Sequence, residues 1–370
     1  MKVGKLLGLA LAAAMLFTIA PAAQAIASAA GAGDIVKVPS AWMSEHETFP
    51  AWLAHEKGWD KEEGIDLELN YFNSGMDIVN AAPSGSWVVA GNGAVPAVFG
   101  ALKHDLYVIA IGNDESYTNG VLVRADSPIA KVKGWNKDYP EVLGSPETVK
   151  GKTFLCTTIS SAHMALSSWL KVLGLTDEDV VIKNMDQPQA LGAFDNGTGD
   201  GVALWAPHLY VGMEDKGWKL AGDIKKCGET LPIVIQAARK YADEHPDVIA
   251  AFLRCYMRGM HMFKNEPAES LVPMYRKFYL EWAGQPYSEK LALTDLKTHP
   301  VFNFDEQLKL LDNSKGMSQA QKWQQNLAAF FTKLGKLSPE ENDKVKSADY
   351  VTDKFLKMVK QPIPDYKDKK

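Results

Sequence analysis

Cysteine is scarce in this chain of 370 residues, which contains only three. An odd number leaves at least one of Cys156, Cys227 and Cys255 unpaired, and their spacing matches no zinc or redox motif. Cys156 lies in an apolar segment and is expected in the core. A disulfide between Cys227 and Cys255 is compatible with the sequence, which does not decide it.

Clusters of positive charge are missing as well. Lys and Arg total 40 against 45 Asp and Glu, which gives a formal net charge of −5, and no run of basic residues interrupts this balance. Nucleic acids and anionic membrane surfaces attract proteins that carry basic patches. We therefore expect neither of them as a partner.

The signatures of common enzymes are also absent from the sequence. It contains no G-x-S-x-G, no G-x-x-x-x-G-K-[ST], no H-E-x-x-H and no C-x-x-C, and its eight histidines include no helical i, i+4 pair. We predict no catalytic residue, no metal and no cofactor. An exported enzyme that combines a histidine and a carboxylate from different loops is kept as an alternative.

Long apolar runs occur only at the N-terminus. Residues 1–5 are basic, residues 6–20 are apolar, and Ala23-Gln24-Ala25 has the small-x-small form of a signal peptidase site, with a second at Ala27-Ser28-Ala29. Residues 1–25 are therefore predicted to be a signal peptide. No cysteine follows the cleavage region, so we expect an exported periplasmic protein without a lipid anchor.

The rest of the chain has the composition of a globular protein, with 46% apolar and 23% charged residues. Alternating and apolar segments predict strands at 35–38, 65–72, 87–90, 106–112, 119–124, 152–156, 180–183, 202–205, 220–223 and 231–235. Helical spacing predicts helices at 49–58, 76–82, 96–102, 161–173 and 188–196, a helix that begins near Pro207, and a mostly helical segment from residue 236 onward. This alternation predicts an α/β protein with two similar lobes, each a parallel-rich sheet covered by helices.

Ligands of such sheets bind beyond the carboxyl ends of the strands. The predicted loops at residues 42–48, 73–75, 91–93 and 113–118 occupy that position. A fifth junction lies where strand 152–156 enters helix 161–173 at Ser160 and Ser161. Free amides and the positive end of the helix dipole make such a start suitable for an oxyanion, although the serines could instead serve only as caps.

Aromatic and acidic residues stand near the same loops. Two tryptophans, Trp42 and Trp205, could line a cleft or fill the core. Trp87 could do the same, but its position inside a predicted strand favours the core. His163 could face a ligand or cover the helix end. Carboxylates on two loops would favour a cationic or amine-bearing ligand if they face the cleft; these are Glu45, Glu47, Asp114 and Glu115.

Several short motifs occur together in a specific order. They are residues 59–66 (WDKEEGID), 84–85 (SG), 91–96 (GNGAVP), 108–109 (VI), 123–129 (VRADSPI), 149–152 (VKGK), 160–163 (SSAH), 194–197 (FDNG) and 205–207 (WAP). In this order they resemble the taurine, aliphatic-sulfonate and nitrate branch of periplasmic substrate-binding proteins of ABC transporters. Relatives of that branch bind thiamine-precursor pyrimidines. The match runs from about residue 36 to about residue 228.

The resemblance implies a two-lobed periplasmic-binding-protein fold of type II, with a mostly parallel sheet in each lobe and a helical C-terminal extension. Residues 34–122 and 236–370 would form the first lobe and residues 123–235 the second. The implied ligand site includes an anion position at Ser160 and Ser161. The predicted ligand-binding residues are Trp42, Ser44, Glu45, His46, Gly75, Asn92, Gly93, Glu115, Ser160, Ser161, His163 and Trp205.

Two positions depart from the family pattern. Many members have an acidic residue between the tryptophan and proline at 205–207, which can meet the amine of taurine, but this chain has Ala206. The aspartate usual in the third strand is also replaced, near Trp87. The predicted function is a monomeric, non-enzymatic receptor that delivers a small anionic solute, of sulfonate or taurine type, to an inner-membrane permease. The alternative ligand is a neutral or cationic aromatic or pyrimidine-type solute.

Overall fold

The computed structural model describes residues 35–367 of the chain. The predicted signal peptide and both candidate cleavage sites lie outside the described residues. Within residues 35–367, no helix combines the length and the apolar character that a membrane crossing requires.

Residues 35–367 contain ten strands, and all ten were predicted within a few residues. They are β1 (Val36–Trp42), β2 (Ile65–Tyr71), β3 (Val89–Gly93), β4 (Leu106–Asp114), β5 (Asn119–Val123), β6 (Thr153–Cys156), β7 (Val181–Asn184), β8 (Gly201–Trp205), β9 (Lys219–Asp223) and β10 (Pro232–Ala238).

Two predicted strand ends are wrong. Residues 39–42 and 91–93 lie beyond the ends of the strands predicted at 35–38 and 87–90, but they continue β1 and β3. Both strands continue because they are paired with neighbours. Strand β1 is paired with β2 as far as Trp42 and with β3 at Ser40 and Ala41. Strand β3 is paired with β10 as far as Gly93. Tertiary pairing here overrides local turn propensity.

The strands form two sheets with the same topology. The first sheet has the order β2-β1-β3-β10-β4 and the second has the order β7-β6-β8-β5-β9. In each sheet one strand, β10 or β5, runs antiparallel to its neighbours while the other four run in one direction. The chain therefore passes from the first sheet into the second after β4 and returns after β9.

Sixteen helices of the described residues surround these sheets. They are α1 (Thr48–Glu56), α2 (Trp59–Glu62), α3 (Gly75–Ala81), α4 (Ala94–His104), α5 (Pro146–Val149), α6 (Ser161–Val172), α7 (Gln187–Asp195), α8 (His208–Glu214), α9 (Arg239–Glu244), α10 (Pro246–Asn265), α11 (Ala268–Ala283), α12 (Glu289–Thr298), α13 (Phe304–Leu311), α14 (Gln319–Lys333), α15 (Pro339–Ser347) and α16 (Lys354–Met358). The capping box predicted at the start of α15 is present, with Ser338 and Glu341 as its two members.

The edge of the first sheet at β4 is not left open. Every residue of β4 except its last is buried, which is unusual for an edge strand. The C-terminal segment covers it, because Val108 forms a parallel bridge with Val351 and two backbone hydrogen bonds flank that bridge. The helical C-terminal third thereby closes an edge that could otherwise pair with another chain.

The apolar core is shared by the two sheets, because the largest buried cluster includes residues of both, such as Val38 of β1 and Leu155 of β6. The largest buried cluster joins the first sheet to the C-terminal helices, and a smaller one lies under the second sheet, where Phe154 packs edge-on against Trp169 of α6. Cys156 belongs to this smaller cluster, as predicted. Cys227 and Cys255 are both free and buried, so they form no disulfide.

Candidate functional site

A small cavity lies where the carboxyl ends of strands from the two sheets meet. Its empty space, which opens to solvent, is about 270 Å³, and it is lined by Met43, Glu45, Gly75, Asn92, Gly93, Pro96, Glu115, Ser160, Ser161 and Trp205. Eight of the twelve residues predicted to bind ligand lie here. The sequence reasoning missed Met43 and Pro96, whose apolar side chains carry no chemical signal of a site.

The start of α6 forms the second-sheet side of the cavity. Ser160 is the N-cap: its hydroxyl accepts a hydrogen bond from the His163 amide at 3.3 Å and donates one to the Thr157 carbonyl at 2.6 Å. These bonds occupy the Ser160 hydroxyl within the protein. The His163 amide is satisfied by this cap, whereas the amides of Ser161 and Ala162 have no carbonyl partner four residues earlier in the helix, so these two can serve an anion.

Ser161 faces the opposite wall directly. A Cβ atom placed on Gly93, the N-cap residue of α4, would lie 3.1 Å from the Ser161 hydroxyl oxygen. The starts of α4 and α6 therefore approach each other across the cavity. Only a residue without a side chain at position 93 leaves this space free.

His163 lies behind the cavity wall and does not line it. Its Nδ1 accepts a hydrogen bond from the Ile159 amide at 3.1 Å, and its Nε2 contacts Asp177 at 2.8 Å. Ile159 has a φ of 55°, a left-handed conformation that is strained for a β-branched residue. The structure thus places His163 as a support for the loop before α6, and the predicted ligand contact is replaced by two contacts within the protein.

Trp42 is also displaced from its predicted place. It is completely buried, its indole N–H donates to the Ser40 hydroxyl at 2.7 Å, and its ring stacks on Tyr256 of α10. Because β1 continues through residue 42, the side chain points into the core and cannot form a cleft wall. Trp87 is buried as well and donates to the Ile78 carbonyl, which agrees with its expected core role.

A larger cavity of about 620 Å³ adjoins the first. Both are lined by Met43, Glu45 and Trp205, and Ser44 lines only the larger one. Gln187 of α7 contributes to its wall and also fixes Trp205, because its side-chain oxygen accepts a hydrogen bond from the Trp205 amide at 2.9 Å. The position of Gln187 just beyond β7 was the one available sequence signal for this role.

His46 belongs to a buried polar network formed with the C-terminal helices. Its Nδ1 contacts the Tyr275 hydroxyl at 2.9 Å, and its ring stacks on that of His299 with centroids 4.6 Å apart. Tyr275 donates to Asp295 at 2.7 Å, and His299 lies 3.1 Å from the other oxygen of Asp295. His46 does not line the cavity. Asp295 and His299 lie far from the motifs in sequence, and nothing local in the sequence indicated them.

Charge interactions shift the pKa values of the two histidines in opposite directions. Burial and the neighbouring His299 lower the pKa of His46 well below its ordinary value. Burial alone would lower the pKa of His299 as well, but the attraction of Asp295 and a hydrogen bond to it raise it to about 9. At neutral pH His299 is therefore the charged member of the pair and forms an ion pair with Asp295.

Three glutamates meet at the cavity. The carboxylates of Glu45, Glu47 and Glu115 have oxygens that all lie within 4.8 Å of one another, and all three residues are buried. Burial, together with repulsion from Glu115, raises the pKa of Glu47 to about 8, and burial raises that of Glu115 to about 7. Burial and the two other glutamates raise the pKa of Glu45 well above its ordinary value.

Asp114, predicted beside this group, is not one of the three clustered carboxylates. Its carboxylate accepts hydrogen bonds from the amide and the hydroxyl of Ser116. A second group with metal-ligand types is His55, Asp60 and Asp66. Asp60 accepts bonds from the amides of Lys61 and Leu67 and contacts His55 at 2.9 Å, so this group is satisfied by the protein.

Comparison with known proteins identifies the chain. The family model described as NMT1/THI5 like matches residues 46–270, which is more than half of the chain. The chain belongs to the NMT1/THI5-like family. The matched region includes every strand from β2 to β10 and all the residues that line the small cavity except Met43 and Glu45.

The chain aligns with individual relatives over most of its length. It is 27% identical to a putative ABC transporter periplasmic binding protein of Brachyspira hyodysenteriae, over 79% of this chain and 83% of that protein. It is 27% identical to the taurine-binding periplasmic protein of Escherichia coli, over 66% of this chain and 71% of that protein. The periplasmic aliphatic sulphonate binding protein of Escherichia coli shares the fold, with a TM-score of 0.65 at 18% identity, covering 86% of this chain and 98% of that structure.

Proposed function

We propose that this protein is the solute-binding receptor of an ABC importer and that it captures a small organic sulfonate in the cavity between its two sheets. Relatives named as periplasmic and taurine-binding proteins support the receptor role. The observation that carries the ligand class is the approach of the α4 and α6 starts at Gly93 and Ser161. Two helix starts facing one buried cavity suit a single anionic group.

Capture would involve hinge closure of two lobes, residues 34–122 with 236–370 and residues 123–235. The hinge would lie in the two crossings between the sheets, after β4 and after β9. A ligand held by both lobes stabilises the closed form through its differential affinity for it. We propose a monomeric protein, exported to the periplasm without a lipid anchor, which delivers the solute to a membrane permease.

Thermal unfolding with a ligand panel tests the sulfonate class. The panel contains taurine, alkane- and arylsulfonates, nitrate and pyrimidines, because any ligand that binds the folded state raises the melting temperature. We expect a sulfonate to give the largest rise. If no sulfonate at hundreds of micromolar raises the melting temperature, the sulfonate assignment is wrong.

A second candidate ligand is an aromatic solute stacked on Trp205, which lines both cavities. Substitution separates the two candidates. Ser161→Ala removes a hydroxyl that can donate to an anion, and hydrogen bonds to charged groups contribute about 1.5–3 kcal/mol, so we expect at least a tenfold loss of sulfonate affinity. A stacking site would instead lose most affinity with Trp205→Ala and little with Ser161→Ala.

The third candidate, an exported enzyme on the same fold, predicts chemical conversion of the bound solute. Mass spectrometry of candidate ligands after incubation with the protein checks this. Under the receptor proposal every ligand is recovered unchanged, whereas a covalent adduct or a turnover product would support the enzyme.

A further inference from the structure

Helix α8 of the second lobe contacts helix α12 of the C-terminal segment. Helix α8 follows β8 of the second sheet and begins shortly after Trp205, which lines the cavity. Helix α12 belongs to the segment that follows β10, a strand of the first sheet. The contact therefore joins the parts of the chain that carry the two sheets, at a place other than the two crossings after β4 and β9.

Tyr210 is the buried member of this contact. It is 5% exposed, and its hydroxyl is hydrogen-bonded to that of Thr298. The Thr298 hydroxyl donates within its own helix to the carbonyls of Thr294 and Asp295, at 2.8 and 3.3 Å. Because a hydroxyl has one proton to donate, the Thr298 oxygen is the acceptor and Tyr210 is the donor. Removal of the Tyr210 hydroxyl would leave the bonds within α12 intact and remove a bond between the helices.

Glu214 is the more exposed member and lies at the end of α8. One of its carboxylate oxygens lies 3.0 Å from the Lys290 ammonium, and the other accepts a long hydrogen bond of 3.4 Å from the Thr294 hydroxyl. The side chain of Lys290 is 76% exposed. Exposed ion pairs contribute little to stability, so we assign the larger contribution to Tyr210 and an orienting role to Glu214.

The α8–α12 contact is connected to both walls of the cavities. On the α12 side, Asp295 accepts a hydrogen bond from Tyr275, whose hydroxyl contacts His46. His46 directly follows Glu45, which lines both cavities from the first sheet, and Trp205 lines both from the second sheet. The contact thus fixes one wall relative to the other through side chains that lie outside the cavities.

A second contact brings the C-terminal helices to the other cavity-lining helix of the second lobe. The ring of Phe331 in α14 lies edge-on to that of His163 in α6, with centroids 6.1 Å apart. The C-terminal helices therefore touch both α6 and α8. The α8–α12 contact contains hydrogen bonds and an ion pair, so substitutions that change few atoms can test it.

We propose that α8 and α12 form a latch that stabilises the arrangement in which the two lobes enclose the cavity, with Tyr210 and Glu214 as positioning residues that do not touch the solute. This inference rests on the proposed receptor function and names a contact that controls its closure. Neither Tyr210 nor Glu214 lines either cavity, and the same holds for Thr298 and Lys290. The latch therefore acts with or without a solute. Its loss lowers the fraction of closed molecules, and the apparent affinity falls in proportion to that fraction.

Small-angle X-ray scattering of the full chain, with no solute added, tests the latch. The latch variant combines Tyr210→Phe, which removes the buried hydrogen bond, with Lys290→Glu, which places two negative charges side by side. We expect its radius of gyration to exceed that of the unsubstituted protein. Tyr210→Phe alone should give a smaller increase, and the melting temperature of each variant shows that it is folded. Equal scattering of the latch variant and the unsubstituted protein would overturn the latch, whatever the solute is.

The matched control makes the same two substitutions within single lobes. Tyr107→Phe removes a hydroxyl that contacts Asp243 inside the first lobe, and Lys216→Glu reverses a pair with Asp195 inside the second lobe. The combined control variant has the same change of net charge as the latch variant. We expect its radius of gyration to stay that of the unsubstituted protein. An increase equal to that of the latch variant would contradict a specific role of α8 and α12.

Calorimetric titration with propane-1-sulfonate and 2-aminoethanesulfonate relates the latch to affinity. We expect the latch variant to bind about two- to tenfold more weakly than the unsubstituted protein, the range that one hydrogen bond supplies, and the control variant to bind equally well. If neither sulfonate binds and the scattering differs as expected, the sulfonate proposal fails and the latch stands. If a sulfonate binds the latch variant and the unsubstituted protein equally, the latch is overturned and the receptor proposal stands.

Discussion

Two adjacent serines show how neighbouring residues of one motif acquire different roles. Ser160 uses its hydroxyl inside the protein, between the Thr157 carbonyl and the His163 amide, whereas Ser161 faces Gly93 across the cavity. Substituting the first should therefore act mainly on the stability of the α6 start. Substituting the second should act mainly on a bound anion.

At this scale we predict that Ser160→Ala lowers the free energy of unfolding by about 1 kcal/mol, the usual effect of losing an N-cap. Ser338→Ala is the matched control, because Ser338 caps α15 with the same geometry. Denaturant unfolding should give similar losses for both. Only Ser160→Ala should also weaken ligand binding, because the loop before α6 lines the cavity. An unchanged ligand affinity of Ser160→Ala would show that this loop keeps its conformation without the N-cap.

At the scale of elements, Gly91 of β3 and Gly192 of α7 differ in the space around them. A Cβ on Gly91 would lie 2.6 Å from the Trp42 ring and 2.8 Å from Glu47 Cγ. Gly192 lies on the exposed face of α7, and a Cβ added there would meet no atom within 4 Å. The same substitution therefore meets dense packing in one element and solvent in the other.

We predict that Gly91→Ala lowers the free energy of unfolding by about 1–3 kcal/mol, as overpacking usually does. Gly192→Ala should raise it by about 0.5–1 kcal/mol, because alanine favours the helix and restricts the unfolded chain. Denaturant unfolding of both variants measures the difference. A neutral Gly91→Ala would mean that Trp42 and Glu47 can move, against the close packing described above.

At the scale of the whole molecule, the buried ionisable groups make stability depend on pH. The folded pKa values of Glu47, Glu115 and His299 are about 8, 7 and 9, all above those of unfolded chains. The folded protein therefore binds more protons than the unfolded chain at neutral pH, and unfolding releases protons. Stability from these groups is present at lower pH and is lost as the pH rises through these values.

We predict that the melting temperature without ligand falls between pH 6.5 and pH 8.5. Each extra proton bound by the folded protein lowers the free energy of unfolding by about 1.4 kcal/mol per pH unit as the pH rises. We therefore expect the free energy of unfolding to fall by an amount of this order for each pH unit of the window. His46 and His208 have lowered pKa values and act in the opposite direction, but only below about pH 6.5. Calorimetric scans across this window provide the measurement.

Glu47→Gln is the control for this dependence, because it removes one of the groups and keeps the shape of the side chain. Its melting temperature should fall less steeply over the same window. A melting temperature that stays level or rises between pH 6.5 and pH 8.5 in the unsubstituted protein would show that the glutamates are not protonated in the folded state.

The order of elements could be predicted from the sequence because it depends on local periodicity. Alternation at residues 65–72 and helical spacing at residues 161–173 correspond to β2 and α6, and their strand–helix rhythm indicates the two-lobed fold. The junction at Ser160 and Ser161 could be located for the same reason. Strand ends that face one another follow from topology alone.

The roles of individual side chains could not be predicted with the same success. Trp42 was expected in the cleft because residues 39–42 resembled a loop, but pairing with β2 and β3 continues the strand and turns the ring into the core. His163 was expected to face the ligand, but its two ring nitrogens are occupied by Ile159 and Asp177. The pairing of β1 and the contact of His163 with Asp177 join segments that lie apart in the sequence, so neither has a local signal.

The sequence by itself therefore determined the order of strands and helices, the fold class and the edge at which a ligand site lies, since these depend on periodicity and connection rules. Only the tertiary structure decided which polar groups at that edge are already satisfied. Glu45 and Glu47 meet Glu115 only when β1 and β4 are brought into one sheet. Burial, charge and hydrogen-bond partners arise from contacts between distant segments, so they are properties of the folded chain.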